Sequence, residues 1–213
     1  MSIPAAQPGD ICVIVEPSIR DLPRLRRIQQ GLQQRYGGRP QTRIHFTCQR
    51  FTPRQDGGLP QLIADLRRQL NPLAPIPVTA ASLEWTKHPF WGCNVLRWDL
   101  NLSAELLRFG RLLEEALLRA GAQLHYPRGA GWRPHVTALE RMPDRETEAV
   151  EAPAFPHLYT ADRIVLSQVQ PGKRFAILDT IQLMALRLRQ PAVAGATFAP
   201  AEVQPALPQA VPA

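Results

Sequence analysis

The alternation of apolar and polar positions divides the chain into short elements. Ile11 to Glu16 is an almost unbroken apolar run rich in β-branched residues, which predicts a buried strand. Ser18 and Asp21 stand at capping-box spacing, and Pro23 suits a first helical turn. Leu22, Leu25, Ile28 and Leu32 then recur at helical spacing until Gly37-Gly38 ends the helix. Thr42 to Phe51 alternates and predicts a strand. Pro60 to Leu70 predicts a second helix, closed by Asn71-Pro72. Val78 to Lys87 and Cys93 to Leu102 predict a strand pair joined through a turn at Pro89 to Gly92. Ser103 to Ala120 is the clearest helix, with Leu106, Leu107, Phe109, Leu113, Leu117 and Leu118 as its apolar stripe and Gly121 just beyond its end. His135 to Glu140 predicts a strand. Arg163 to Val169 and Arg174 to Leu186 predict a hairpin turning at Pro171-Gly172. After Arg189 the chain is Pro, Ala, Val and Gln with almost no charge, which predicts a disordered tail over residues 190–213 behind one domain over residues 1–189. The order of elements is that of an α+β protein with mainly antiparallel sheets.

Composition narrows the function classes. The hydrophobic fraction of 45% is that of a globular protein, and 20% charged residues are too few for a polyelectrolyte. A net charge of +7 favours an anionic partner. The arginines are spread along the chain (Arg24, Arg26, Arg27, Arg35, Arg39, Arg43, Arg50, Arg54), a pattern of a basic face or groove rather than a tail. Cys12, Cys48 and Cys93 form no CxxC pair, which predicts reduced thiols in the cytoplasm. Met1 to Asp10 has no basic region followed by an apolar stretch, which predicts no signal peptide. No apolar run approaches the ~18 residues that span a bilayer, which predicts a soluble protein with no membrane partner.

The informative pattern is an internal repeat. Arg43-Ile44-His45-Phe46-Thr47 and Arg133-Pro134-His135-Val136-Thr137 both read Arg-x-His-hydrophobic-Thr. With 5 His among 213 residues and a similar scarcity of Thr, chance supplies roughly 0.2 His-x-Thr matches, so two copies with a shared arginine are a signal. In a strand each His and its Thr project from one face, while Phe46 and Val136 project from the other toward a core. Two such strands, one per lobe, bring two imidazoles and two hydroxyls to one cleft. A cyclic phosphodiester needs that set. One imidazole takes a proton from attacking water, the other gives one to the departing ribose oxygen, and the hydroxyls donate to the non-bridging oxygens. The chemistry requires neither metal nor cofactor.

These motifs resemble those of the 2H phosphoesterase superfamily, in particular its 2′-5′ RNA ligase or RNA 2′,3′-cyclic phosphodiesterase branch. Trp132-Arg133-Pro134-His135-Val136-Thr137 is similar to that branch's second motif, commonly an aromatic, an arginine, then Pro-His-[Val/Ile]-Thr. In the first motif Cys48-Gln49-Arg50-Phe51 stands where members often continue with Leu and a Phe-Leu-Gly ending. The resemblance implies a bilobed fold, with two pseudo-symmetric lobes around a central cleft and helices outside. It implies hydrolysis of a 2′,3′-cyclic phosphate to a 2′-phosphate, on RNA 3′ ends or nucleotides, with 2′-5′ joining of RNA ends as a related activity. Catalytic roles pass to His45, Thr47, His135 and Thr137. The motifs are symmetric with respect to acid and base; the assignment taken is that His135 activates water and His45 protonates the leaving O3′. A monomer is expected.

Other residues carry open alternatives. Arg43 and Arg133 share the parity of the His-Thr face, so each either reaches a phosphate or ends in a surface ion pair. Trp91 and Tyr126 either stack a base or pack locally. His88, His125 and His157 lack the following Thr and are assigned no role. Cys48 lies at odd spacing from His45, which argues against a shared metal. A small cyclic nucleotide or an ADP-ribose-type cyclic phosphate is the alternative substrate, and a non-catalytic RNA-binding module is the alternative of another class.

Overall fold

A computed structural model describes residues 6–54, 58–87, 93–126, 132–142, 150, 157–171 and 174–184; Trp91, His88 and the predicted tail lie outside them. The elements among the described residues are β1 (Ile11–Pro17), α1 (Leu22–Tyr36), β2 (Arg39–Pro40), β3 (Phe46–Thr52), α2 (Leu59–Leu70), β4 (Ile76–Val78), β5 (Ala80–Lys87), β6 (Asn94–Leu100), α3 (Ala104–Arg119), β7 (Gln123–Leu124), β8 (His135–Met142), β9 (Tyr159–Gln170) and β10 (Arg174–Gln182). One sheet has the order β10-β9-β1-β3-β7, with β4 against β9; the other has the order β2-β8-β6-β5. All of these pairings are antiparallel. The architecture is α+β and bilobed, one sheet to a lobe. Each lobe carries one His-x-Thr motif, the first at β3 and the second on β8.

The helix ends follow from local chemistry. Asp21 N donates to Ser18 Oγ at 3.3 Å and Ser18 Oγ donates to Asp21 Oδ2 at 3.0 Å. The same carboxylate accepts from Thr160 N at 2.8 Å, so the predicted capping pair also ties α1 to β9. Gly37, at φ 77, takes a positive-φ backbone that suits glycine and ends α1, its N–H still bonded to Gln33 O. Ser103 caps α3 by accepting from Leu106 N at 3.1 Å. Leu106, Phe109, Leu113 and Leu117 bury the α3 stripe together with Gly110 and Ala116. Leu107 and Leu118, expected in that stripe, are 38% and 54% exposed, because they fall on the flank of the core-facing arc.

Three departures from the predicted strands bear on function. The strand expected over Thr42 to Phe51 begins only at Phe46; residues 42–45, His45 included, are irregular backbone. The strand expected over Val78 to Lys87 breaks at Thr79: β4 joins β9 in one sheet and β5 joins β6 in the other. Finally, β3 bulges. Val13 stands opposite Gln49 and Ile14 opposite Thr47, which leaves Cys48 as the extra residue. Beyond the bulge the side-chain parity is shifted, so Arg50, opposite Cys12, lies on the same face as Thr47, opposite Ile14.

The core anchors both motifs. Phe46 and Val136, the middle residues of the repeats, are fully buried in one continuous apolar cluster. Burial of such side chains contributes about 1.5–3 kcal/mol each. On β8, with Val136 fixed on the core side, the flanking His135 and Thr137 are directed to the opposite face.

Candidate active site

The imidazole of the first motif is seated against the backbone two residues earlier. His45 Nδ1 lies 2.8 Å from the carbonyl oxygen of Arg43. A carbonyl can only accept, so Nδ1 carries the hydrogen and Nε2 is the nitrogen that gains or loses a proton. Burial disfavours the charged imidazole and lowers its pKa from the ordinary 6.5. The Arg43 carbonyl opposes that shift, the Arg43 charge adds to it, and Glu16 opposes it; the net direction is down. Thr47 follows at the start of β3, opposite Ile14, which in turn stands opposite Val165. The surroundings of Thr47 along this row are apolar.

The second motif is seated in the same way but has different neighbours. His135 Nδ1 lies 3.3 Å from the carbonyl oxygen of Arg133, again two residues earlier, and the same tautomer follows. His135 stands directly opposite Asp99 and Thr137 directly opposite Arg97 across the β6–β8 pair. Cross-strand partners share a face, so these four side chains lie together. Arg97 bridges two carboxylates: Nη2 reaches Glu84 Oε1 at 2.9 Å and Nε lies 3.0 Å from Asp99 Oδ1. Burial, then the hydrogen bond with Glu84, pushes Asp99 above its ordinary 3.8; that bond and Arg97 hold Glu84 below its ordinary 4.5. Sequence reasoning missed Asp99 and Glu84, although their spacing from the hydrophobic positions of β5 and β6 placed both on the polar face of those strands.

The remaining predicted residues divide. Arg43 forms an ion pair with the buried Glu16, which also holds Arg163 at 3.0 Å. Arg133 is exposed beside the second motif, close enough for its charge to act on Glu84. Tyr126 is half-buried at the end of the first lobe, with the Arg50 guanidinium 5.4 Å from its ring centre. Gln49 grips its backbone from both sides, donating to Tyr126 O at 2.7 Å and accepting from Tyr126 N at 2.9 Å. Trp91 lies outside the described residues. His125, assigned no role, packs its ring against Thr52 Oγ1 at 2.8 Å and Asp10 at 3.4 Å.

Several of the arginines read as a basic face or groove have partners within the protein. Arg24, Arg39, Arg43 and Arg50 lie against Asp21, Glu140, Glu16 and Asp10, and Arg26 is bound to backbone carbonyls. Among the described residues no three His, Cys, Asp or Glu side chains gather as a metal site, and no helix is long and apolar enough to cross a membrane.

The strands that carry the motifs run close together, with Cα atoms of β3 and β8 within 8 Å of each other. No protein-family model matches the chain, and no curated protein does. Solved structures do. TT0787 of Thermus thermophilus aligns with a TM-score of 0.55 at 18% identity, over 82% of this chain and 97% of that one. Escherichia coli LigT, a 2′-5′ RNA ligase crystallised with 3′-AMP, aligns with a TM-score of 0.55 at 16% identity, over 84% of this chain and 99% of that one. The fold is that of the 2H phosphoesterases. At these identities the likeness is one of fold. It spans nearly the whole length of the solved 2H proteins, so both lobes of the 2H architecture are present here.

Proposed function

We propose that the chain hydrolyses a 2′,3′-cyclic phosphate, at an RNA 3′ end or on a nucleotide, to a 2′-phosphate without a metal ion. The observation that carries this reading is the matched seating of two imidazoles. Each holds its Nδ1 hydrogen on the carbonyl two residues earlier, and each is followed two positions later by a Thr. Binding alone has no use for two proton-exchanging nitrogens set up alike. The E. coli protein of the same fold has been solved with 3′-AMP and with NADP+, which supports a nucleotide-sized ligand.

The surroundings favour a division of labour opposite to the one assigned from the sequence. His45, whose setting disfavours charge, is the general base: its Nε2 takes a proton from water as the water oxygen bonds to phosphorus. His135, facing Asp99, is the general acid: its Nε2 gives a proton to O3′ as the P–O3′ bond breaks. Thr47 and Thr137 donate to the non-bridging oxygens, where negative charge accumulates. An RNA 5′-hydroxyl in place of water, attacking the same phosphorus, leaves a 2′-5′ linkage.

The test is hydrolysis of a short RNA ending in a 2′,3′-cyclic phosphate, in EDTA, beside His45→Ala and His135→Ala. Turnover to a 2′-phosphate that collapses in both variants supports the reading. Folded wild-type protein with no turnover on this RNA or on a cyclic mononucleotide overturns it in favour of a binding module.

A further inference from the structure

Helix α1 turns three residues into the core: Leu25, Gln29 and Leu32. The middle one is an amide, 1% exposed, in a stripe where leucine would be the ordinary choice. A buried amide is costly unless its polar atoms are bonded, and those of Gln29 are. Nε2 donates to the Ala138 carbonyl at 3.0 Å and to the Gln41 carbonyl at 3.3 Å. Oε1 accepts from Arg26 Nη1 at 3.0 Å.

Those two carbonyls belong to different lobes' motifs. Ala138 follows Thr137 on β8. Gln41 lies in the approach to His45, the irregular segment that precedes β3. The same approach is pinned to β8 by Gln41 N donating to Ala138 O at 3.1 Å and by the pairing of Arg39 with Glu140 and Pro40 with Leu139. Arg26 completes the knot, donating to Gln41 O at 2.7 Å and to Thr42 O. His45 lies outside the β1–β3 ladder, whose register begins at Phe46, so its position depends on what holds residues 41–44.

We propose that Gln29 is a positioning residue whose carboxamide fixes the spacing between the two His-x-Thr motifs. It touches no substrate and acts through the backbone at Gln41 and Ala138. The proposal rests on the cyclic phosphodiesterase reading only for its kinetic consequence; the geometry stands without it. Reaction steps shared between two groups are sensitive to about 1 Å of misplacement, at about 10²-fold in rate.

Gln29→Met keeps the length and removes all three bonds; Gln29→Glu keeps the oxygen and loses both donors. With turnover on the cyclic-phosphate RNA, each is expected to lower kcat by about 10- to 100-fold with KM changed less than about twofold. Leu66→Ala, a core truncation in α2, serves as the comparison: it lowers Tm without lowering kcat when assayed well below that Tm. A Gln29→Met protein with wild-type kcat overturns the proposal, as does a kcat loss matched by Leu66→Ala. If the wild type turns over no cyclic phosphate, the function reading fails separately and imidazole NMR titration decides. In Gln29→Met the His45 pKa should move up toward the ordinary value. A His45 titration superimposable in wild type and variant would sink the idea.

Discussion

The two copies of the repeat carry the same reacting groups in unlike electrical settings. Around the first, the row running from Thr47 through Ile14 to Val165 is apolar, and His45 lies beside the Arg43–Glu16 ion pair, with burial outweighing the Glu16 charge. Around the second, Asp99, Arg97 and Glu84 make a charged floor. An acid and a base drawn from one residue type need such a difference, because two identical imidazoles in identical settings would titrate together and do one job poorly. Duplication supplies the reacting groups, and divergence of their neighbours supplies the roles.

That contrast can be broken from either side. The largest effect is expected from His45→Ala and His135→Ala, each lowering kcat by about 10³-fold or more in a single-turnover assay on cyclic-phosphate RNA. Next come Thr47→Val and Thr137→Val, each costing about a hundredfold in kcat through one lost donor; a Thr variant with unchanged kcat would remove that residue from the site. Asp99→Asn should be milder and more telling. With the carboxylate gone, His135 gives up its proton more readily, so the basic limb of the kcat/KM profile moves to lower pH while the acidic limb stays. A shift of the acidic limb instead would return the roles to the order taken from the motifs alone. The acidic limb of the wild type, set by His45 as base, should lie below pH 6.5.

The smallest effect concerns stability. The folded pKa of His45 lies below its unfolded value of 6.5, so below that pH the unfolded chain binds more protons. Its contribution to stability is therefore full above pH 6.5 and declines as pH falls through that value. Denaturation at pH 7.5 and 5.5 should show a smaller pH dependence in His45→Gln than in the wild type.

The parts of this picture visible in the sequence were those with a strong period or a repeat. The α3 stripe, the β1 run and the two His-x-Thr copies each announce themselves in the spacing of residues. β2, β4 and β7 do not, because two or three residues carry no period. The strand start at Phe46 was hidden because Arg26 and Gln29, 12 to 16 positions earlier on α1, take the carbonyls of Gln41 and Thr42. The bulge at Cys48 was invisible too, and it places Arg50 on the face where strict alternation puts Gln49. Asp99 and Glu84 were overlooked because acidic residues on a half-exposed strand look like ordinary solubilising charge. Only Gln29 left a trace: a polar residue at a core position of an otherwise apolar stripe.

The pairing of β2 with β8 also has a temporal side. His45 is synthesised long before the strand that pins its approach segment, and β1 must wait still longer for β9, its partner on one flank. A ribosome-bound chain that ends before β8 therefore holds the first histidine on a segment tied to α1 but not yet to β8, with a strand edge open to other chains. Loops of this length close slowly. The protein acquires its first motif in working form only when its last third has emerged, so activity should arise all at once, late in synthesis, and half-length fragments should be prone to aggregate.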